Sequence, residues 1–206
     1  RIKLGYRYIF GIVINLLSRS VRNFFPVKRN AIKNGVEVPS SVSQQYRIID
    51  NYLPTITTDD PTTEGGEVES HRKFTKSGDD VIIIGGGIGI TTVNAAKECA
   101  PGSVTIYEGS GRHVGIIRDV AQLNNVASQC RVRHAVVGPS INIRDKTTNS
   151  DPKEVRPGGL PECDVIEMDC EGAELSIVRE LTIRPRVMII EIHPQRHPEA
   201  INTLQA

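Results

Sequence analysis

Through the middle of the chain, short apolar runs alternate with polar segments of helical spacing, beginning with Val81-Ile82-Ile83-Ile84. Four β-favouring residues that break into Gly85-Gly86-Gly87-Ile88-Gly89-Ile90 predict a buried strand, a loop and a helix start. Apolar residues at helical spacing run from Ile90 to Cys99 and stop at Pro101-Gly102. Ser103 to Tyr107 reads as a second strand closed by Glu108-Gly109, and Val114 to Leu123 as an amphipathic helix ending at Asn124-Asn125. Cys130 to Val137 is a third strand. A strand from Cys163 into Asp169, a helix from Leu175 to Leu181 and a strand over Arg186 to His193 repeat the pattern. Residues 139–162 form a loop too long for mere connection.

Strands alternating with helices predict an α/β fold, a Rossmann-like doubly wound and mostly parallel sheet. Right-handed crossovers in such a sheet gather the carboxyl ends of the strands along one edge. Gly85, Gly87 and Gly89 are therefore expected beside Glu108, and Asp169, Glu171, Glu191 and His193 at the same edge. Glycine there lets a ligand approach backbone N–H groups at a helix start, where the dipole favours anions. An acid at the end of the second strand can accept hydrogen bonds from both ribose hydroxyls of an adenosine. Three carboxylates at one strand-to-helix junction, Asp169, Glu171 and Glu174, are costly to crowd unless they meet a cation, donor groups or water.

Flanking segments change the picture less. Residues 1–36 hold eight basic side chains and no acid, leaving 17 basic against 24 acidic ones in the remainder. The uncharged run Tyr8 to Ser18 falls short of the roughly 18–20 residues that span a bilayer. With its aromatic residues, the segment 1–30 suits peripheral contact with an anionic membrane surface, docking on the core, or a homo-oligomer contact; a cleaved signal peptide is a further reading, weakened because no small-x-small cleavage site follows Leu17. Nucleic acid is not expected as a partner, because no recognition motif accompanies the basic patch and the main body is acidic. The polar stretch 34–78 reads as linker or cap, with Glu64, Glu67 and Glu69 mostly in a solvated acidic turn. These shifts divide the chain into a basic extension (1–45), a linker or cap (46–78) and a main domain (79–206). Four scattered cysteines without C-x-x-C spacing fit reduced thiols in a cytoplasmic protein, associated with a membrane only through its extension.

The glycine loop after a strand, Glu108, the Asn124-Asn125 helix end, the segment Asp164 to Glu174 and Ile190-Glu191-Ile192-His193 together resemble the FkbM-type methyltransferases over residues 64–194. Asp-x-Glu-Gly-Ala-Glu at 169–174 is the most specific part. The resemblance implies a class I enzyme that uses S-adenosylmethionine. It implies that Gly85, Gly87 and Gly89 hold the methionine end, that Glu108 holds the ribose and Asn125 borders the cofactor, and that Asp169 and Glu171 border the methyl-transfer site. The family usually has an acid two residues before the first loop glycine; here that position is Ile83, leaving Glu64, Glu67 or Glu69 to supply it. The fold also normally adds a helix and an antiparallel hairpin after the fifth strand, so the chain is expected to continue, or its sheet to be shortened or completed by a partner.

Methyl transfer to a hydroxyl on a sugar, glycan or lipid-linked acceptor gains from a base, and Asp169, Glu171 and His193 are the catalytic candidates. A divalent metal on Asp169, Glu171 and Glu191 is a further option, and a carboxylate acceptor would need no base. Two other readings stay open. One is a FAD- or NAD-dependent oxidoreductase, whose fingerprint fits up to Ile90, where it requires glycine. The other is a non-catalytic cofactor-binding scaffold.

Overall fold

The computed structural model describes residues 30–39, 42, 59–138, 151–170 and 172–192. A hairpin of β1 (Ala31–Lys33) and β2 (Val36–Val38) precedes helix α1 (Gly65–Phe74). Next come β3 (Asp80–Ile84), α2 (Ile90–Cys99), β4 (Ser103–Glu108), α3 (Gly111–Leu123) and β5 (Cys130–Val137). The short β6 (Lys153–Val155), β7 (Val165–Met168), α4 (Glu174–Glu180) and β8 (Val187–Ile190) follow.

β3 to β8 form one sheet in the order β6-β5-β4-β3-β7-β8, and every neighbouring pair is parallel. The chain builds outward from β3 through β6, then returns to the other side with β7 and β8. The reversal lies between β3 and β7, where doubly wound sheets hold their ligands. The α/β fold expected from the sequence is the fold observed, parallel throughout the main sheet.

Strand alternation splits the apolar residues between two faces. Val81, Ile83, Val104, Ile106 and Val165 pack with Ile90, Val93 and Ile117 of α2 and α3 and with Val36, Val38 and Val68 from the segment before the sheet. On the other face Ile82, Ile84, Tyr107, Ile166 and Met168 meet Ala173, Ile177 and Ile183. Burial on both faces explains why these strands read as unbroken apolar runs.

The stretch read as linker or cap supplies α1, which the sequence pattern missed because its mean polarity is high. Only Val68 and His71 of this helix are buried. The hairpin is pinned by Asn124, whose Nδ2 donates to the Glu37 carbonyl at 2.8 Å while its Oδ1 accepts from the Glu37 N–H at 3.0 Å. Arg186 donates to Asp79 and, at 3.0 Å, to the Phe74 carbonyl, tying the end of α1 to the start of β8. β6 and a 3₁₀ turn at Pro157–Gly159 lie within the stretch read as one long loop. All four cysteines are free. No helix among the described residues is long and apolar enough to cross a membrane. The basic segment 1–29 lies outside the described residues.

Candidate functional site

The glycine loop leaves β3 at the sheet reversal, and two of its glycines are required by the protein itself. Gly85 has φ +90°, and a Cβ there would stand 1.9 Å from the Asp169 carbonyl oxygen. That overlap is with backbone, so no side chain fits where β3 and β7 run together; Asp169 N–H donates to the Ile84 carbonyl at 3.0 Å. At Gly86 a Cβ would collide with Ile106 and Ile117 at 2.6 and 2.7 Å. Gly87 differs, because the nearest atom to its Cβ position is Glu64 Oε1 at 3.5 Å. Gly85 and Gly86 are thus fixed by packing, whereas a Cβ at Gly87 would make only an ordinary contact with Glu64. Gly89 stands at the N-cap of α2, which leaves the first N–H groups of that helix at the site.

Glu108 ends β4 beside this loop and is 7% exposed. Its carboxylate accepts from Ser110 N–H at 2.7 Å, and the Gly87 and Gly86 N–H groups lie near enough to favour its charged form. Burial holds its pKa above the ordinary carboxylate value, against the lowering effect of these donors and of His113 3.9 Å away. An acid so placed is a hydrogen-bond acceptor in contact with the glycine loop.

At the end of β7 the two described acids of the Asp169 to Glu174 segment, Asp169 and Glu174, separate. Glu174, buried at the start of α4, turns back and accepts from the N–H groups of Cys170 at 3.2 Å and Gly172 at 3.0 Å. It shapes the loop and faces away from solvent. Asp169 Oδ1 is buried with no hydrogen-bond partner among the described residues. Such an orphaned acceptor costs free energy unless a donor or cation reaches it. Glu171 lies outside the described residues. Burial, reinforced by Glu174 and Asp169, lifts the Cys170 thiol far above its ordinary range, so it stands at the site as a neutral thiol and not a nucleophile.

Sequence reading missed a further buried acid. Glu167 is 1% exposed and is the register partner of Ile83 on β3. The carboxylate lacking at 83 thus stands one strand over, on the same face. It is answered by His71 of α1, whose Nε2 lies 2.5 Å from Glu167 Oε2 while Nδ1 contacts Thr75 Oγ1 at 2.9 Å. The signal was present: one acid in the otherwise apolar Val165-Ile166-Glu167-Met168 must be partnered if the strand is buried.

Glu64 reaches the same place from the turn before α1. Its Oε2 accepts from Thr91 N–H of α2 at 3.3 Å. Burial first, then the nearby Glu167, pushes its pKa up to about 8, with Glu67 and Asp169 adding to the rise. Of the three acids available to replace one at Ile83, Glu64 meets the loop, Glu69 is exposed and Glu67 faces a groove. That groove, about 720 Å³ between α1 and β8, is also lined by Glu191.

The structure therefore gathers Gly85, Gly87, Gly89, Glu108 and Asp169 at one edge. Asn125 is exposed just beyond the C-terminal end of α3. Its neighbour Asn124 holds the hairpin, which gives the Asn-Asn pair a structural job. His193 lies outside the described residues. Among the described residues no three metal-ligating side chains converge on a cation site.

No family model and no curated protein sequence matches the chain. Solved structures do. A precorrin-6y C5,15-methyltransferase from Geobacter metallireducens aligns with TM-score 0.50 and 14% identity over 71% of each chain. A precorrin-8w decarboxylase from Methanobacterium thermoautotrophicum aligns with TM-score 0.50 and 16% identity over 69% of each. A SAM-dependent O-methyltransferase from Thermotoga maritima has TM-score 0.48 and 16% identity over 68% of this chain and 48% of its own, so this chain spans about half the length of that enzyme. At such identities the likeness is one of fold, and the fold is the Rossmann-like α/β fold found in SAM-dependent methyltransferases.

Proposed function

We propose that the protein is a class I methyltransferase of the FkbM type, using S-adenosylmethionine to methylate an oxygen acceptor. The observation that carries this reading is the meeting of the glycine loop, Glu108 and the orphaned Asp169 Oδ1 at the reversal of a parallel sheet. These groups fit the cofactor part by part. In this reading Glu108 accepts from the ribose hydroxyls, Gly87 faces the thioether end, and Gly89 opens α2, whose Thr91 N–H is held by Glu64. When bound, the sulfonium supplies an electrophilic methyl group.

This chain's own contribution is then binding, orientation and proton removal. In-line displacement depends mostly on holding the acceptor oxygen close and aligned. We assign Asp169, half-buried at the end of β7, to hold an acceptor hydroxyl and take its proton. Glu171 and His193 remain the additional candidates proposed from sequence. The acceptor we propose is a hydroxyl or carboxylate on a sugar, glycan or lipid-linked molecule, the last suited to a basic, apolar segment at 1–30. Ile90 also favours this reading over a dinucleotide enzyme: it is fully buried where the fingerprint needs glycine to bring helix and strand together.

Calorimetric titration of the full chain with S-adenosylhomocysteine and with NADH tests the proposal. Binding of the first alone is the expected result, and binding of NADH alone would overturn it. Methylation of an acceptor identified by comparing glycans and lipids from cells with and without the protein separates an enzyme from a scaffold. The substrate is then the species lighter by one methylene where the protein is missing.

A further inference from the structure

We infer that Glu64 recognises the ammonium group at the amino-acid end of the cofactor, reaching the glycine loop from the start of α1 in place of an acid on β3. This inference rests on the methyl-donor reading and adds a residue to it. Three geometric observations support it. Glu64 occupies the N-cap position of α1 yet gives its side chain no capping bond to that helix. The carboxylate is instead carried across to α2, where Oε2 accepts from Thr91 N–H. Its second oxygen, Oε1, lies against Gly87, the loop glycine that packing leaves open.

The backbone enforces this reach. Glu64 has φ +51° and ψ +37°, a left-handed conformation that costs a non-glycine residue about 1 kcal/mol or more. The preceding turn is tied down on both sides: Asn34 Nδ2 donates to the Thr63 carbonyl at 3.1 Å, and Asp60 accepts from the hydroxyls of Thr62 and Thr63. A solvated acidic turn would need neither the strain nor the anchoring.

Charge completes the case. Glu167 is answered by His71, but Glu64 faces Glu167, Glu67 and Asp169 and has no cation among the described residues within ion-pair distance. A half-buried carboxylate among acids, set against Gly87 of the loop, lacks a cation with hydrogen-bond donors. An alkylammonium supplies both. A divalent metal would need further ligands that the described residues do not group.

The test compares wild type, Glu64→Gln and the exposed control Glu69→Gln by calorimetry with two probes. S-Adenosylhomocysteine carries the ammonium; 5′-methylthioadenosine shares the nucleoside and thioether and lacks the amino-acid end. Loss of one charge-assisted contact should weaken S-adenosylhomocysteine about 10- to 100-fold in Glu64→Gln and leave 5′-methylthioadenosine within about twofold, with the control unchanged. Retained 5′-methylthioadenosine binding also shows that the variant folds. Equal affinity of Glu64→Gln and wild type for S-adenosylhomocysteine, or equal weakening of both probes, overturns the assignment of Glu64. Failure of wild type to bind either probe overturns the methyl-donor reading itself.

Discussion

His71 of α1 and Glu167 of β7 form a fully buried pair 2.5 Å apart, 96 positions apart in the chain. It joins the polar segment before the sheet to the strand that ends in Asp169. Through it, the helix that begins just after Glu64 is held against the face of the sheet that the site needs.

Breaking that pair on one side should cost far more than replacing both partners. His71→Ala leaves a buried carboxylate without its partner and is expected to destabilise by about 3–5 kcal/mol. The double variant His71→Leu, Glu167→Leu should recover most of this, because apolar groups of similar size need no partner there. Urea denaturation of both variants measures the difference. A double variant as unstable as the single would show that the pair does more than satisfy itself.

Glu64 sets a pH dependence of stability with a definite sign. Its ordinary value is 4.5 and the folded chain pushes it up to about 8. Between these values the folded state binds more protons than the unfolded one, so stability falls as pH rises through the window. Glu64→Gln removes that loss. It should be near wild type at pH 5 and more stable by roughly 1–3 kcal/mol at pH 9, a gain of several degrees in Tm. Thermal melts of the two proteins across the range decide it, and parallel pH curves would place the charge elsewhere. The same protonation predicts proton release when S-adenosylhomocysteine binds wild type at pH 7. Titrations in buffers of different ionisation enthalpy should reveal it and show none for Glu64→Gln.

The two glycines nearest the reversal separate packing from ligand room. Gly85→Ala drives a methyl into the Asp169 carbonyl at φ +90° and should cost several kcal/mol, enough to lower expression of folded protein. Gly87→Ala, at φ +51° with only an ordinary contact to Glu64 Oε1 ahead, should cost only about 1 kcal/mol of stability and lose most affinity for S-adenosylhomocysteine. Melting temperature and calorimetry on the same samples provide both readouts. Equal losses of stability in the two variants would contradict the division.

Asp169 is expected to act on the acceptor more than on the nucleoside. Asp169→Ala should abolish turnover, once an acceptor is known, while S-adenosylhomocysteine binds within a fewfold of wild type. Glu108→Gln should show the opposite balance, weakening both S-adenosylhomocysteine and 5′-methylthioadenosine about tenfold or more through loss of the proposed ribose contact. Full activity in Asp169→Ala would sink its assignment.

Much of this site was legible along the chain, because adjacent strands of a parallel sheet repeat a local signal. The apolar run at 81–84, the glycines after it and the acids that end later strands each reveal themselves within ten residues, and the right-handed crossover brings them to one edge. The sequence could not show what each glycine faces. Gly85 and Gly87 look alike in the chain, and only the approach of the Asp169 backbone to one and of the Glu64 side chain to the other distinguishes them. Nor could it choose among Glu64, Glu67 and Glu69, since the turn geometry before α1 decides which one reaches Thr91. Nor could it show that Asn124, beside the Asn125 expected at the cofactor, clamps the hairpin through Glu37, 87 positions distant in the chain. Local pattern thus determined the fold and the edge where chemistry gathers. Tertiary structure decided which acids meet there and which are neutralised, because burial and pairing of a charge depend on residues that only folding brings together.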